Sequence, residues 1–255
     1  MGYAIAVRLA EEGTDVVVSD LTANARGNWG GLPAVVAHIE GMGRRAMWVE
    51  ADVTDSDQVA NMVQQALDRF GRIDILVNNA GAPAGPDRVP VVELDEAVFD
   101  RVLAVNVKGT FLCSKAVVAH MMDRGEGGKI INMSSTSGLK GSARFAVYCA
   151  SKFAIRGFTQ SLAHEVARYG IRVNAICPGL IETERVFGMA SGLKPDGVST
   201  EDFREQMIQR SNQTTPTGRI GQAIDVARTA AFLASEESDH ITGSAISVSG
   251  GAFMY

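Results

Sequence analysis

The sequence predicts an α/β fold in which a doubly wound, mostly parallel sheet carries helices on both faces. Three observations lead there. Strand-like and helix-like segments alternate along the whole chain. The strand-like segments are continuous apolar runs, such as TDVVVSD at 14–20 and IRVNAI at 171–176, which mark parallel strands covered on both faces. Notable residues gather at the strand ends, with Asp20, Asp52, Asn78, Asn79 and Ser135 polar and Pro178-Gly179 at a fifth, where open sheets of this class hold their ligands.

In order, Ile5, Ala6, Leu9 and Ala10 recur at helical spacing between Gly2 and Glu12, and Gly13 supplies a stop. Thr14 to Asp20 is a β-branched strand closed by an acid. Leu21 to Gly31 is rich in Asn and Gly and reads as a loop. A helix over Leu32 to Met42 and a strand over Ala46 to Glu50 follow. Ser56 to Phe70 is amphipathic, with Ser56 as candidate N-cap and Val59, Met62, Val63, Ala66, Leu67 and Phe70 in one stripe. Ile73 to Val77 is a strand that runs into Asn78, Asn79, Ala80 and Gly81. Glu93 to Arg124 is mostly helical, with a bend near Gly109. Ile130 to Met133 is a strand, and Ala146 to Tyr169 a long helix stopped by Gly170. Ile171 to Ile176 is a strand ending at Cys177, Pro178 and Gly179. Glu184 to Thr215 is polar and partly helical. Ile224 to Ala234 is a helix, and Ala245 to Val248 the last strand. With no repeat, low-complexity tract or linker, a single domain over 1–255 is expected, in which 184–215 suits a substrate lid.

Composition narrows the function. Hydrophobic residues at 46% and charged residues at 21% describe a globular chain with a substantial core. A net charge of −5 without any Lys/Arg-rich run argues against a nucleic-acid or membrane-surface partner. Cys113, Cys149 and Cys177 are odd in number and form no CxxC, so no disulfide framework is expected and a reducing cytoplasm is. His38, His120, His164 and His240 show no ligand spacing, and no metal site is expected. No uninterrupted apolar run approaches the ~20 residues of a membrane span, and no signal peptide precedes the first helix.

The chemistry concentrates between Ile130 and Lys152. Ser135 lies thirteen residues before Tyr148, and Lys152 follows Tyr148 by four. Four residues are about one helical turn, so the phenol and the ammonium share a face. A strand-end serine can meet that face across the intervening loop. A hydroxyl, a phenol and an ammonium in one small space form a proton-handling site. A free phenol titrates near pH 10, and a neighbouring cation favours its ionised form.

These features come with NNAG at 78–81, a helical Asn106 in VNVKG, and Pro178-Gly179. As an ordered set they resemble the short-chain dehydrogenase/reductase family, in the group with about 250 residues and a single Rossmann-type domain, over nearly the whole chain. The resemblance implies an oxidoreductase that moves a hydride between NAD(H) and a secondary alcohol or ketone. Tyr148 is implied as general acid/base, Lys152 as its partner, Ser135 as the residue that bonds the substrate oxygen, and Asn106 as the holder of a water linking Lys152 to solvent. For the cofactor it implies Gly2, Asp20, Asp52, Val53, Asn79, Ala80, Gly81, Tyr148, Lys152, Pro178, Gly179, Ile181 and Thr183. Asp20 takes the ribose hydroxyls, and its charge disfavours a 2′-phosphate, so NAD is favoured over NADP. The nearest arginine after it is Arg26. Asp52 and Val53 flank the adenine, and Ile181 and Thr183 meet the nicotinamide end. Asn78 is expected to pin strands rather than touch a ligand.

Two departures stand out. The family begins with a strand and a TGxxxGxG turn, and this sequence opens at Met1-Gly2-Tyr3, with Gly2 fitting the last glycine. The expectation is that about fifteen to twenty residues precede Met1, including a central strand between those ending at Asp20 and Asn78. Ser249 stands where the family often has Asp. Substrate choice is expected to reside in 83–92, 138–145 and 184–215, with small or medium alcohols and ketones as the default. Phe111, Val117, Phe153, Phe158 and Leu162 suggest a helix-paired homotetramer, against the plainer reading that they pack on their own sheet. The other functional class left open is a dinucleotide-binding protein without turnover, or an inactive form lacking the N-terminal turn.

Overall fold

A computed structural model describes residues 1–24 and 29–254. The alternation predicted from sequence is present. Helix α1 (Gly2–Glu11) leads to strand β1 (Val16–Asp20), α2 (Gly31–Gly41), β2 (Ala46–Glu50), α3 (Ser56–Phe70) and β3 (Ile75–Asn78). Next come α4 (Glu96–Leu103), a π-helical turn (Ala104–Lys108), α5 (Gly109–Arg124), β4 (Gly128–Met133), α6 (Ala146–Val166) and β5 (Ile171–Pro178). The chain closes through α7 (Glu184–Leu193), α8 (Thr200–Thr214), α9 (Ala223–Ala234) and β6 (Ala245–Val248).

All strand pairs are parallel, in two sheets: β1 with β2, and β3-β4-β5-β6. No ladder joins β1 to β3, the place where the sequence leads one to expect a central strand. The expectation of strands covered on both faces holds for β4 and β5, whose Ile130, Ile131, Val173, Ala175 and Ile176 are buried. It does not hold for β3, where Ile75, Leu76 and Val77 are only half-buried, because an unpaired edge leaves their flank open.

Two layers cover the larger sheet. On one face Ile5 and Leu9 of α1 and Val226, Ala230 and Leu233 of α9 pack against Ile131, Met133 and Ile176. On the other, Val63, Val117, Met121, Leu162 and Val166 from α3, α5 and α6 pack against Ile130, Ile171 and Val173. Val117 and Leu162 therefore belong to the core, whereas Phe111 and Phe153 are about two-fifths exposed, at 44% and 43%. Ala6 and Ala10, on the remaining face of α1, join Val16, Val35, Ile39 and Ala46 in a separate core under the small sheet.

Local signals explain the boundaries, with three corrections. Asp55, not Ser56, caps α3: its carboxylate accepts from the N–H groups of Asp57 and Gln58 at 2.9 and 3.1 Å. A carboxylate beside the positive helix end is the stronger cap. The bend expected near Gly109 is a π-helical turn five residues long, and it carries Asn106 into the interior. The long helix from Ala146 ends at Val166 and tightens to a 3₁₀ turn over 167–169 before Gly170, at φ 74°, stops it. The continuous stretch Glu96–Arg124 is long and apolar enough to cross a bilayer by length and composition, a feature masked in the sequence by its scattered polar residues. Its Val117 and Met121 pack on the sheet and its Asn106 is fully buried in hydrogen bonds, so it is a layer helix of the fold.

Candidate active site

Strands β1 to β4 deliver Asp20, Asp52, Asn78 and Ser135 at or just past their carboxyl ends, and β5 ends at Pro178-Gly179. The end of β4 is bonded directly to α6. Ser134 Oγ donates to the Lys152 carbonyl at 2.8 Å, and Lys152 Nζ donates to the Met133 carbonyl at 2.8 Å. These two bonds bring Ser135 to the start of the helix that carries Tyr148 and Lys152. Gly138 is required there: a Cβ would sit 2.6 Å from the Lys152 carbonyl oxygen. Ser135 is buried, and its hydroxyl accepts from the Ser137 N–H at 3.1 Å, leaving its proton for another partner.

Tyr148 and Lys152 share a face as their spacing predicts, with Lys152 Nζ 5.7 Å from the phenol ring centre. Burial, and then the positive charge of Arg185, push the Lys152 ammonium down to about 7. Asn106 Oδ1 accepts from the Ala82 N–H at 2.9 Å, its Nδ2 donates to Ser151 Oγ at 2.9 Å, and that hydroxyl donates to the Tyr148 carbonyl at 2.8 Å. Asn106 thus ties the loop after β3 to α6, with no direct bond to Lys152 among the described residues.

Two arginines escape sequence reasoning. Arg88, in the Pro/Gly loop after β3, is wholly buried, with its Cζ 4.4 Å from the Tyr148 ring centre and 4.2 Å from that of Phe145. Its charge is met by buried Asp87. Burial lowers the pKa of the Arg88 guanidinium and Asp87 opposes that shift. Arg185, in the first turn of α7, places its Cζ 5.1 Å from the Tyr148 ring and donates to the Ala82 carbonyl at 2.8 Å. Nothing local in the sequence marks either residue; both reach Tyr148 only through the path of a loop and the docking of a later helix.

On the cofactor side, Asp20 is exposed at the end of β1, and its Oδ1 accepts from the Leu21 N–H at 2.7 Å. Arg26 lies outside the described residues. Asp52 is half-buried and accepts from both the N–H and the hydroxyl of Thr54 at 2.8 Å, while Val53 lies against Gly109, where a Cβ would meet its Cγ2 at 2.7 Å. Gly2 opens α1 so close to Asn79 that a Cβ would stand 2.8 Å from Asn79 Nδ2, and Asn79 Oδ1 is buried without a partner. Ala80 and Gly81 are exposed, with the Cβ position of Gly81 3.5 Å from Asn106 Oδ1. Pro178 ends β5 in a buried position, and a Cβ on Gly179 would stand 3.1 Å from Ser249. Ile181 turns its side chain into the core beside Ile5 and Val226, so only its backbone faces the cleft. Thr183 caps α7 without a side-chain bond to it and donates to the Ile181 carbonyl at 3.4 Å. Asn78 pins strands as expected, its Nδ2 donating to Ser114 Oγ at 3.0 Å and to Asn132 Oδ1 at 2.8 Å.

These residues fit a dinucleotide. The orphaned Asn79 acceptor beside the close approach at Gly2, the uncapped start of α1 and the exposed Asp20 carboxylate offer an acceptor, a positive helix end and a diol partner along one cleft. Among the described residues no cluster of metal-ligating side chains occurs. Cys113, Cys149 and Cys177 are all free and buried, and burial pushes the Cys113 thiol up to about 11.

Comparison with known proteins agrees with this geometry. A family model described as enoyl-(acyl carrier protein) reductase matches residues 1–252. A short-chain dehydrogenase/reductase of Armillaria gallica is 38% identical over 98% of this chain and 91% of its own. Sorbitol dehydrogenase of Cereibacter sphaeroides is 37% identical over 100% of this chain and 93% of its own. The crystal structure of an NAD+-bound xylitol dehydrogenase superposes with a TM-score of 0.87 at 33% identity, covering 98% of this chain and 94% of the other.

Proposed function

The chain belongs to the short-chain dehydrogenase/reductase family of oxidoreductases, and from that premise we propose that it interconverts a secondary alcohol and its ketone with NAD(H), using Tyr148 as general acid/base. The observation that supports this reading is the pinning of β4 onto α6 through Ser134 and the Met133 carbonyl, next to Ser135. When bound, the nicotinamide supplies the two-electron step at the carbinol carbon.

The chain's own residues handle the oxygen and its proton. In oxidation the Ser135 hydroxyl bonds the substrate oxygen and fixes it beside the phenol. Tyr148 takes the hydroxyl proton as the carbinol C–H bond breaks, and returns it in the reduction direction. Lys152, Arg88 and Arg185 stand around that ring, with their charged ends 4.4–5.7 Å from its centre. Asn106, fixed between Ala82 and Ser151, positions the helix and stands near enough to Lys152's turn to order a relay water. Lys152, pushed down to about 7, is part amine and part ammonium near neutrality, and its amine form suits it to receive a proton from Tyr148, which the ammonium then passes on.

Asp20 supports NAD over NADP, since a 2′-phosphate would meet its carboxylate. Gly2, Asp52, Val53, Asn79, Ala80, Gly81, Pro178, Gly179, Ile181 and Thr183 line the rest of the dinucleotide cleft. The segment 184–215 is the lid over the substrate, and α7, whose first turn carries Arg185, is its inner wall. The half-exposed Phe111 and Phe153 support helix pairing in a homotetramer, and three free thiols support a reducing cytoplasm. Following absorbance of the reduced nicotinamide with NAD+ or NADP+ and a panel of polyols and secondary alcohols tests the reading. Tyr148→Phe is expected to lower kcat by about 10²–10⁴-fold, with NAD+ preferred. Full activity in Tyr148→Phe would refute the assignment.

A further inference from the structure

Arg88 is partnered on one nitrogen only. Its Nη1 meets Asp87, while Nε and Nη2 are buried without any hydrogen-bond partner. Phe145 and Tyr148 lie against the guanidinium as ring contacts. Such ring contacts give Nε and Nη2 no oxygen acceptor. Nε–H and Nη2–H lie side by side on one edge of a guanidinium, and this is the edge with which arginine grips a carboxylate through two parallel bonds. An arginine serving only to neutralise Asp87 would not need that edge, and a buried charged donor left unpaired is costly.

The surroundings agree. Around Tyr148 stand Arg88, Arg185 and Lys152 against one carboxylate, Asp87. Arg185 forms no ion pair among the described residues. This excess of positive charge occurs in a chain whose net charge is −5. A carboxylate suits that edge, because its two oxygens match the two parallel donors. Helix α7 roofs the place: Gly192 comes so close that a Cβ would sit 3.1 Å from Arg88 Cβ and 2.5 Å from the Gly85 carbonyl oxygen. A ligand reaching Arg88 would be covered by the same helix that carries Arg185.

We propose that the open edge of Arg88, assisted by Arg185, binds a carboxylate of the substrate, so that the alcohols and ketones handled here are short-chain hydroxy acids and oxo acids. The proposal rests on the oxidoreductase reading for its chemistry and on Arg88, with Arg185 beside it, for its binding. The carboxylate takes no part in bond making: the carbinol still loses hydride from carbon and a proton from oxygen.

The test uses the whole chain. Initial rates with NAD+ compare 2- and 3-hydroxybutanoate with their methyl esters, which keep the shape and lose the charge. The acids are expected to exceed the esters in kcat/KM by about 10²-fold or more, and Arg88→Lys, which keeps the charge but not the fork, is expected to lose most of that preference. Binding is read separately as the rise in Tm with 3-oxobutanoate, its methyl ester or inorganic phosphate; only 3-oxobutanoate is expected to raise it. Esters or neutral alcohols oxidised as well as the acids would overturn the proposal and leave the oxidoreductase reading standing. Stabilisation by 3-oxobutanoate without turnover of any alcohol would support the Arg88 site and defeat that reading. Equal stabilisation by phosphate, or none by 3-oxobutanoate, would overturn the proposal. The wild-type comparison of acid with ester decides the matter even if Arg88→Lys does not fold.

Discussion

At the scale of single residues, Lys152 carries the most testable electrostatics. Its ammonium is buried, bonded to the Met133 carbonyl and pushed down to about 7 from 10.5, first by burial and then by Arg185. In the unfolded chain the same amine holds its proton up to its ordinary value. Between those two limits the unfolded state therefore binds more protons than the fold, and stability rises with pH across that window. Below the folded value both states are protonated, and this residue adds no slope. Without bound cofactor, Tm is expected to climb from neutral pH towards pH 10, and Lys152→Met to flatten the climb. Arg185→Gln is expected to move the start of the window upward, because the second cause of the shift is gone. Superimposable Tm profiles for wild type and Lys152→Met would contradict the account. The spacing of Tyr148 and Lys152 was legible in the sequence because it is a property of one helix. The environment that shifts Lys152 was not, since Arg185 arrives from α7, thirty-three residues further on.

At the scale of elements, the seam between α7 and the loop after β3 governs access to the site. Gly188 and Gly192 occur one turn apart on α7, and a Cβ on either would stand 2.7 Å from the Ala84 carbonyl oxygen or 2.5 Å from that of Gly85. Backbone on both sides leaves no flexible atom to yield. Gly192→Ala is therefore expected to push α7 off the loop, to cost about 1–3 kcal/mol as overpacking, and to raise KM for the alcohol more than KM for the dinucleotide. Gly157→Ala, in α6 with nothing near its Cβ position, is the matched control, and should be neutral or stabilising by up to about 1 kcal/mol. Equal Tm and KM for both variants would show that α7 does not bear on the substrate. Other elements show where sequence reading stops. A bend near Gly109 was expected, whereas the π-helical turn at Ala104–Lys108 depends on Asn106 finding Ala82 and Ser151, contacts remote in sequence. Asp55 and Ser56 are both good caps, and only the bonds to Asp57 and Gln58 decide between them.

At the scale of the whole molecule, the parallel α/β architecture was legible because continuous apolar strands and amphipathic helices are local patterns. How the parts cohere is not local. Among the described residues no strand ladder joins the smaller sheet to the larger, and α1 belongs to both cores: Ile5 and Leu9 face one, Ala6 and Ala10 the other. Small alanine contacts and a half-buried β3 edge make a weaker joint than a continuous ladder would. The molecule should therefore open in two steps. Amides of β4 and β5, buried in ladders on both sides, are expected to exchange hydrogen only on global unfolding. Those of β1 and β2 are expected to exchange through a smaller opening that leaves the larger sheet intact. Adding NAD+ should raise the protection of β1 selectively, since Asp20 lies at its end and links it to the cleft. Hydrogen exchange read by mass spectrometry, with and without NAD+, tests this directly. Uniform protection across both sheets in the free protein would mean that α1 couples them as firmly as a shared strand.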